Sequence, residues 1–196
     1  MVEQVEGVTF RDEDRYGEVL DGRYVACTFR DVDLTEARGG ASFESCTLDN
    51  CRFNAAELDG AAFVGCTVRR TSFFGATLIG CKLDGSVFVE CTLRPITVRG
   101  GRWRGVTMRG ATLTKLDLSD VSLQEADLAD ADLSGSDLSG CDLSRAVLRG
   151  ASLQRSDLRR ATLDGVDLRE TDLRGARIDL AGAVCLAEQY GAVVNP

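Results

Sequence analysis

Ala126-Asp127-Leu128-Ala129-Asp130-Ala131-Asp132-Leu133-Ser134-Gly135-Ser136-Asp137-Leu138-Ser139-Gly140 is one five-residue unit written three times. Each unit has a leucine at its centre and a small residue two positions before it. Counting outward in fives meets a large apolar centre at every step from Phe43, Leu48 and Phe53, through Trp103 and Met108, to Leu173 and Ile178. An internal repeat of this kind decides the architecture before any local propensity does.

A helix repeats its apolar positions every 3.6 residues and a half-buried strand every 2, so a strict five requires the chain to turn a corner once per unit. Glycine stands two after the centre at Gly60, Gly75, Gly85, Gly105, Gly135, Gly150 and Gly175, among others. That is where a type II turn needs positive φ. Units with Arg70, Glu90, Lys115, Asp120, Glu125 or Arg160 there are expected to use another turn. Four sides close a square coil of twenty residues, whose interior takes four large and four small side chains and leaves no room for a pocket. Coils stack at about 4.8 Å, so Phe43, Phe63, Leu83, Trp103, Leu123, Leu143 and Leu163 form one column.

Ala131-Asp132-Leu133-Ser134-Gly135, Ser136-Asp137-Leu138-Ser139-Gly140 and Cys141-Asp142-Leu143-Ser144-Arg145 resemble the units of the pentapeptide-repeat protein family. The resemblance implies an all-β fold, a right-handed quadrilateral parallel β-helix. Here it would have about eight coils and a short C-terminal α-helix. Three regions are expected: 1–42, an irregular N-terminal coil and cap; 43–178, an uninterrupted β-helix; and 179–196, a helix and tail that dimerise. Within the first region Leu34 to Phe43 spans nine residues where two units need ten. Arg38-Gly39-Gly40 is expected to absorb the difference.

The chain has 196 residues, a net charge of −8 and no histidine, with a sequence pI near 4.7. Such a surface repels nucleic acid and anionic membranes and favours a basic protein partner. Met1 to Phe10 lacks a basic start and a long apolar run, and Ala61 to Cys81 is interrupted by Arg69 and Arg70. A cytoplasmic protein without a membrane span is therefore expected. Cys27, Cys46, Cys51, Cys66, Cys81, Cys91 and Cys141 occupy the small inward position, where a reduced thiol packs as a small hydrophobe. No C-x-x-C pair accompanies them, so no metal site is expected. Without histidine, a G-x-S-x-G elbow or a phosphate loop, no catalytic residue, cofactor or small-molecule substrate is expected either.

Charge is segregated along the repeat. Asp117, Asp120, Glu125, Asp127, Asp130, Asp132, Asp137 and Asp142 form an acidic belt with no Lys or Arg among them. The positive band Arg94, Arg99, Arg102, Arg104, Arg109 and Lys115 precedes it, and Arg145, Arg149, Arg155, Arg159 and Arg160 follow. The belt can present carboxylates where a DNA-binding protein expects phosphates. Each Asp before a central Leu can instead hydrogen-bond the backbone and solubilise the rod. After Ile178, apolar Leu180, Ala183, Val184, Ala187 and Tyr190 fit a short amphipathic helix, with Asp179 to cap its start and Gly191 its end. It would plug the last coil, and the same residues with Val193 would form a homodimer seam.

Phe10-Arg11-Asp12-Glu13-Asp14, Gly85-Ser86-Val87-Phe88-Val89-Glu90-Cys91-Thr92-Leu93-Arg94-Pro95 and the helical tail resemble the mycobacterial fluoroquinolone-resistance (MfpA) group of that family. The Qnr proteins, which carry loops that interrupt the solenoid, are more distant. The resemblance implies a dimeric rod that mimics DNA and binds DNA gyrase, inhibiting it or conferring antibiotic resistance. A general protein-interaction scaffold with a non-topoisomerase partner is the alternative. An ice-binding array is disfavoured because the column Glu57, Thr77, Thr97, Asp117 breaks off.

Overall fold

The period of five closes the chain into four-sided coils, in a computed structural model that describes residues 4–194. The first face runs through Val5, Tyr24, Phe43, Phe63, Leu83, Trp103, Leu123, Leu143 and Leu163. The second runs through Phe10, Phe29, Leu48, Val68, Phe88, Met108, Leu128, Leu148 and Leu168. The third and fourth follow five and ten residues after the second. Pairing along each face is parallel, on three faces through strands of two or three residues as far as Arg99, and on the third face and in the later coils through single bridges such as Asp33 with Arg52 and Asp117 with Asp137. Nine stacked positions on the first face span eight full turns.

Units from Trp103 onward share one backbone pattern, whereas corners such as Val68–Thr71 and Phe88–Cys91 are open bends. Leu133 N–H donates to Ser152 O at 2.8 Å and Ser152 N–H to Ala131 O at 2.9 Å, joining two coils. Ser136 N–H donates to Leu133 O at 3.1 Å and closes the corner. The residue inside that corner is left-handed whether or not it is glycine. Gly135 has φ 70°, and Arg70, Glu90, Lys115, Asp120, Glu125 and Arg160 have φ of 48, 54, 57, 57, 61 and 63°. The expectation of another turn is therefore corrected at Lys115, Asp120, Glu125 and Arg160, while Arg70 and Glu90 do sit in open bends, as Gly60 and Gly80 also do, so the turn does not follow the residue type. The axial ladder fixes the corner geometry, and it outweighs a cost of roughly 1–2 kcal/mol for a side chain in that region.

The N-terminal stretch also departs from expectation, making two turns in register with the solenoid where one irregular coil was anticipated. Gln4 pairs with Arg23 and Arg23 with Ser42, each 19 residues on, before the step becomes 20 at Ser42 with Ala62. Arg38 and Gly39 still pair with Glu57 and Leu58, so the second coil is shortened between Gly39 and Ser42, as read from the sequence, and the first coil is shortened in the same way between Leu20 and Arg23. Gly40 is required in the second coil, because a Cβ would sit 2.5 Å from Asp59 O. Arg15 takes the large inward position of the first coil, with its guanidinium 4.4 Å from the Phe10 ring centroid and bonded to Glu13 at 2.7 Å. It covers the open N-terminal end.

Inside, aromatic rings stack at nearly the spacing of the coils: Phe10 on Phe29 at 4.7 Å, Phe43 on Phe63 at 4.8 Å and Phe53 on Phe73 at 5.1 Å. Trp103 is 1 % exposed and its indole Nε1 has no partner among the described residues. The small inward cysteines donate Sγ–H to carbonyls of the preceding coil, as Cys66 does to Phe43 O at 3.2 Å. Burial pushes the thiols of Cys51 and Cys81 up to about 11 and that of Cys141 up to about 12, the behaviour of inert packing residues.

No loop interrupts the coils between 43 and 178. The ladder nonetheless lapses on the third and fourth faces, between Glu90–Gly100 and the coil after it, and again around Val147 and Asp167 on the second. Pro95 takes the corner position of its unit, after a cis peptide bond.

The helix Leu180–Gln189 closes the C-terminal end, with the Asp179 carboxylate accepting from Gly182 N–H at 3.0 Å and Gly191 at φ 84° ending it. Replacing Arg160 by Gly should stabilise the rod by about 1 kcal/mol, read as a higher urea midpoint. A lower midpoint would show that the side chain, rather than the ladder, holds the corner.

Candidate protein-binding surface

The eight belt carboxylates lie at two kinds of position. Asp117, Asp127, Asp132, Asp137 and Asp142 precede a central Leu, and Asp120, Glu125 and Asp130 stand at left-handed corners. In the first group one oxygen is already engaged. Asp117 Oδ1 accepts from Ser119 N–H at 3.0 Å, Asp132 from Ser134 at 3.0 Å, Asp137 from Ser139 at 2.9 Å and Asp142 from Ser144 at 2.9 Å. Asp127 does the same for Ala129 at 3.1 Å. The structural role read from the sequence is thus real, and it leaves the second oxygen for solvent or a partner.

Neighbouring arginines divide the belt further. Glu125 accepts from Arg104 at 3.1 Å and lies 4.0 Å from Arg145, while Asp127 lies 3.6 Å from Arg109. Asp117, Asp120, Asp130, Asp132, Asp137 and Asp142 have no cation within 4.0 Å among the described residues. Asp117 and Asp137 are paired rungs of the fourth face and Asp132 lies on the third, with Asp130 and Asp120 at corners of these faces. Asp142 is on the first face. What the sequence showed as a belt is, in uncompensated charge, a patch over two adjacent faces.

Beyond the patch several acids are tied to arginines, while Asp12, Asp14 and Asp31 near the N-terminal end have no cation within 4.0 Å among the described residues. Hydrogen bonds from Arg52, Arg159 and Arg169 hold the carboxyls of Asp33, Asp157 and Asp167 at about 2, well below the usual range. The outward side of the second face instead collects Arg11, Arg30, Arg69, Arg109, Arg149 and Arg169 in one column, although Arg30, Arg109 and Arg169 have acid partners. This basic stripe was missed in the sequence because its members lie nineteen to forty residues apart, with Asp49, Val89 and Ala129 on the rungs between them. Thr9, Thr28, Thr47 and Thr67 form a rank beside it, but arginines flank it, unlike the flat neutral face an ice-binding array needs.

At the C-terminal end the helix turns Gly182, Cys185, Leu186 and Gln189 toward the last coil. Gln189 accepts from Leu168 N–H at 2.8 Å and donates to Val166 O at 2.7 Å, standing in for the missing next coil. The plug is therefore built from residues other than the apolar stripe expected to form it. That stripe faces out, with Leu180 81 %, Tyr190 70 % and Val193 85 % exposed, Ala183 exposed, and Val184 and Ala187 half-buried.

A family model for pentapeptide repeats matches residues 39–73, 104–140 and 141–179, more than half of the chain. The chain belongs to the pentapeptide-repeat family. Among solved structures, this rod is similar to a trypsin-treated variant of QnrB1, a plasmid-mediated fluoroquinolone resistance protein. The TM-score is 0.73 at 21 % identity, over 99 % of this chain and 98 % of that one. Full-length QnrB1 gives a TM-score of 0.53 at 22 % identity, over 96 % and 100 % of the two chains. HetL, a pentapeptide repeat protein involved in heterocyst differentiation regulation from the cyanobacterium Nostoc sp. strain PCC 7120, gives 0.51 at 22 %, over 89 % and 88 %. No curated protein sequence matches the chain significantly. Identities this low establish the shared β-helix.

No helix of the described residues is long and apolar enough to cross a membrane. Because Asp137 serves the turn through one oxygen, Asp137→Ala should cost about 1 kcal/mol while Asp137→Asn, which keeps the acceptor, stays near wild type. Paired urea melts check this, and an equal loss in both would place the stabilisation in the charge instead.

Proposed function

We propose that this pentapeptide-repeat rod is a DNA-mimicking protein that binds DNA gyrase through its acidic third and fourth faces, inhibiting the enzyme or countering fluoroquinolones or another gyrase poison. The observation that carries the reading is the patch of uncompensated carboxylates around Asp117, Asp120, Asp130, Asp132 and Asp137 on a rod of uniform width. Eight turns at about 4.8 Å extend roughly 40 Å, so a pair joined end to end, with its terminal helices between, reaches roughly 80 to 100 Å, the length of about 25 to 30 base pairs of DNA at 3.4 Å each. The likeness to QnrB1 agrees with the reading at the level of the fold. A convex surface open to water, with interior side chains packed, favours binding over catalysis, and a cytoplasmic location fits the partner.

Titrating the protein into purified gyrase should suppress supercoiling. The quadruple change Asp117→Asn, Asp130→Asn, Asp132→Asn and Asp137→Asn should raise the concentration needed by about tenfold or more, without loss of β signal. Unchanged potency would move the contact off these faces, and no effect at micromolar protein would remove gyrase as the partner.

Dimerisation completes the rod. The exposed stripe Leu180, Ala183, Val184, Ala187, Tyr190 and Val193 is the apolar surface we assign to a two-fold contact between C-terminal ends, because the capping of the last coil does not use it. Leu180→Glu with Val184→Glu should give a monomer by sedimentation with the circular dichroism of the wild type. A persistent dimer would place the seam elsewhere.

A further inference from the structure

The repeat count does not slip between Glu90 and Asp120, yet the ladder is open there. In a closed coil Leu133 donates to Ser152 O and Ser152 to Ala131 O. The corresponding bonds, from Leu93 to Thr112 O and from Thr112 to Cys91 O, are both absent, as is the bridge between Thr92 and Thr112 that its neighbours Ser72–Thr92 and Thr112–Asp132 lead one to expect. Pro95 has no N–H to offer the next coil. On the first and second faces the same two coils remain joined, by Lys82 with Arg102 and Val87 with Thr107. The result is a slot that opens only on one side of the rod.

Its interior is a cleft of about 300 Å³ whose walls include Phe88, Cys91, Leu93 and Ala111. Cys91 and Ala111 occupy the small inward position, which is 0–1 % exposed at Cys51, Cys81 and Ala131, yet here both are only partly covered. The lips carry Arg94 and Arg109, of which Arg94 has no carboxylate within 4.0 Å among the described residues, and the equally unpaired Lys115 stands at the corner beyond the cleft. Glu90 is the acid at the rim, and Asp117 and Asp120 follow on the next face. The lapse near Val147 differs, since Arg145 and Arg149 are balanced there by Asp167 and Glu170 and Gly150 N–H still reaches Glu170 O at 2.9 Å.

We propose that this slot receives an extended segment of a protein partner that carries a carboxylate between small aliphatic side chains. Both lips expose backbone donors and acceptors, which an added peptide main chain satisfies by pairing as a strand. Arg94 and Lys115 meet the carboxylate, and the aliphatic side chains cover Cys91 and Ala111. A nucleic acid fits worse, because its backbone has no donor for the Cys91 carbonyl and Asp117, Asp120 and Asp132 repel a run of phosphates. The proposal does not depend on gyrase, although Asp117 and Asp120 of the assigned surface stand on the slot's second coil.

The test uses the full chain and a fluorescein-labelled acetyl-Ser-Val-Glu-Val-Ser-amide, followed by anisotropy and by amide exchange. Saturable binding is expected, with slowed exchange at Leu93 and Thr112. Affinity should fall by about tenfold or more in Arg94→Glu with Lys115→Glu, less in Arg94→Gln with Lys115→Gln, and equally when the peptide is N-methylated along its main chain. The glutamine pair keeps the test open if charge reversal disturbs folding. The proposal is overturned by absence of saturable binding up to about 1 mM, by binding that survives either the charge changes or N-methylation, or by tighter capture of a decathymidylate oligonucleotide.

Discussion

Axial hydrogen bonding between coils is the constraint on which everything else in this rod depends. A buried backbone group must be paired, and in a four-sided coil the available partners lie directly above and below. That requirement sets the coil spacing, brings residues twenty apart into columns, and holds most corner residues in the left-handed region. It explains why Arg70, Glu90 and Lys115 adopt a backbone geometry that glycine enters more easily. It also explains the interior, because rings such as Phe43 and Phe63 stack at 4.8 Å only when their backbones do.

A core filled in this way leaves function to the outside, and there the decisive quantity is which charges remain unmatched. A net charge of −8 describes the rod poorly. Arg104 and Arg109 cancel Glu125 and Asp127, and Arg159 ties down Asp157. Exposed pairs of this sort stabilise little, yet they remove carboxylates from the surface a partner meets. Most of the belt's unmatched acids gather on two faces, next to a seam where the cations Arg94 and Lys115 stand free. One side of the rod therefore carries both this anionic patch and the open backbone edge.

The ends show how a solenoid manages exposed ladders. Arg15 and its glutamates cover the first coil, and Gln189 replaces at the last coil the donor and acceptor of a coil that is not there. Each device uses a polar side chain where the interior of the repeat would have an apolar one, as terminal units of repeat arrays do.

By itself the sequence determined the coil. The centres from Phe43 to Ile178, the small cysteines and alanines before them, and the glycine pair at 39 and 40 fix the period, the inward face and the shortened side of the second coil, because a five-residue repeat has a single way to bury its large residues. Asp179 and Gly191 likewise marked the helix ends through local capping. Only the tertiary structure decided what lies across coils. The second N-terminal turn, the left-handed arginines and lysine, the arginine column from Arg11 to Arg169, the pairing that splits the acidic belt and the open ladder beside Pro95 all depend on neighbours nineteen or twenty residues away. Side-chain reach and axial bonding, rather than local preference, settle those positions, and no reading along a single unit contains them.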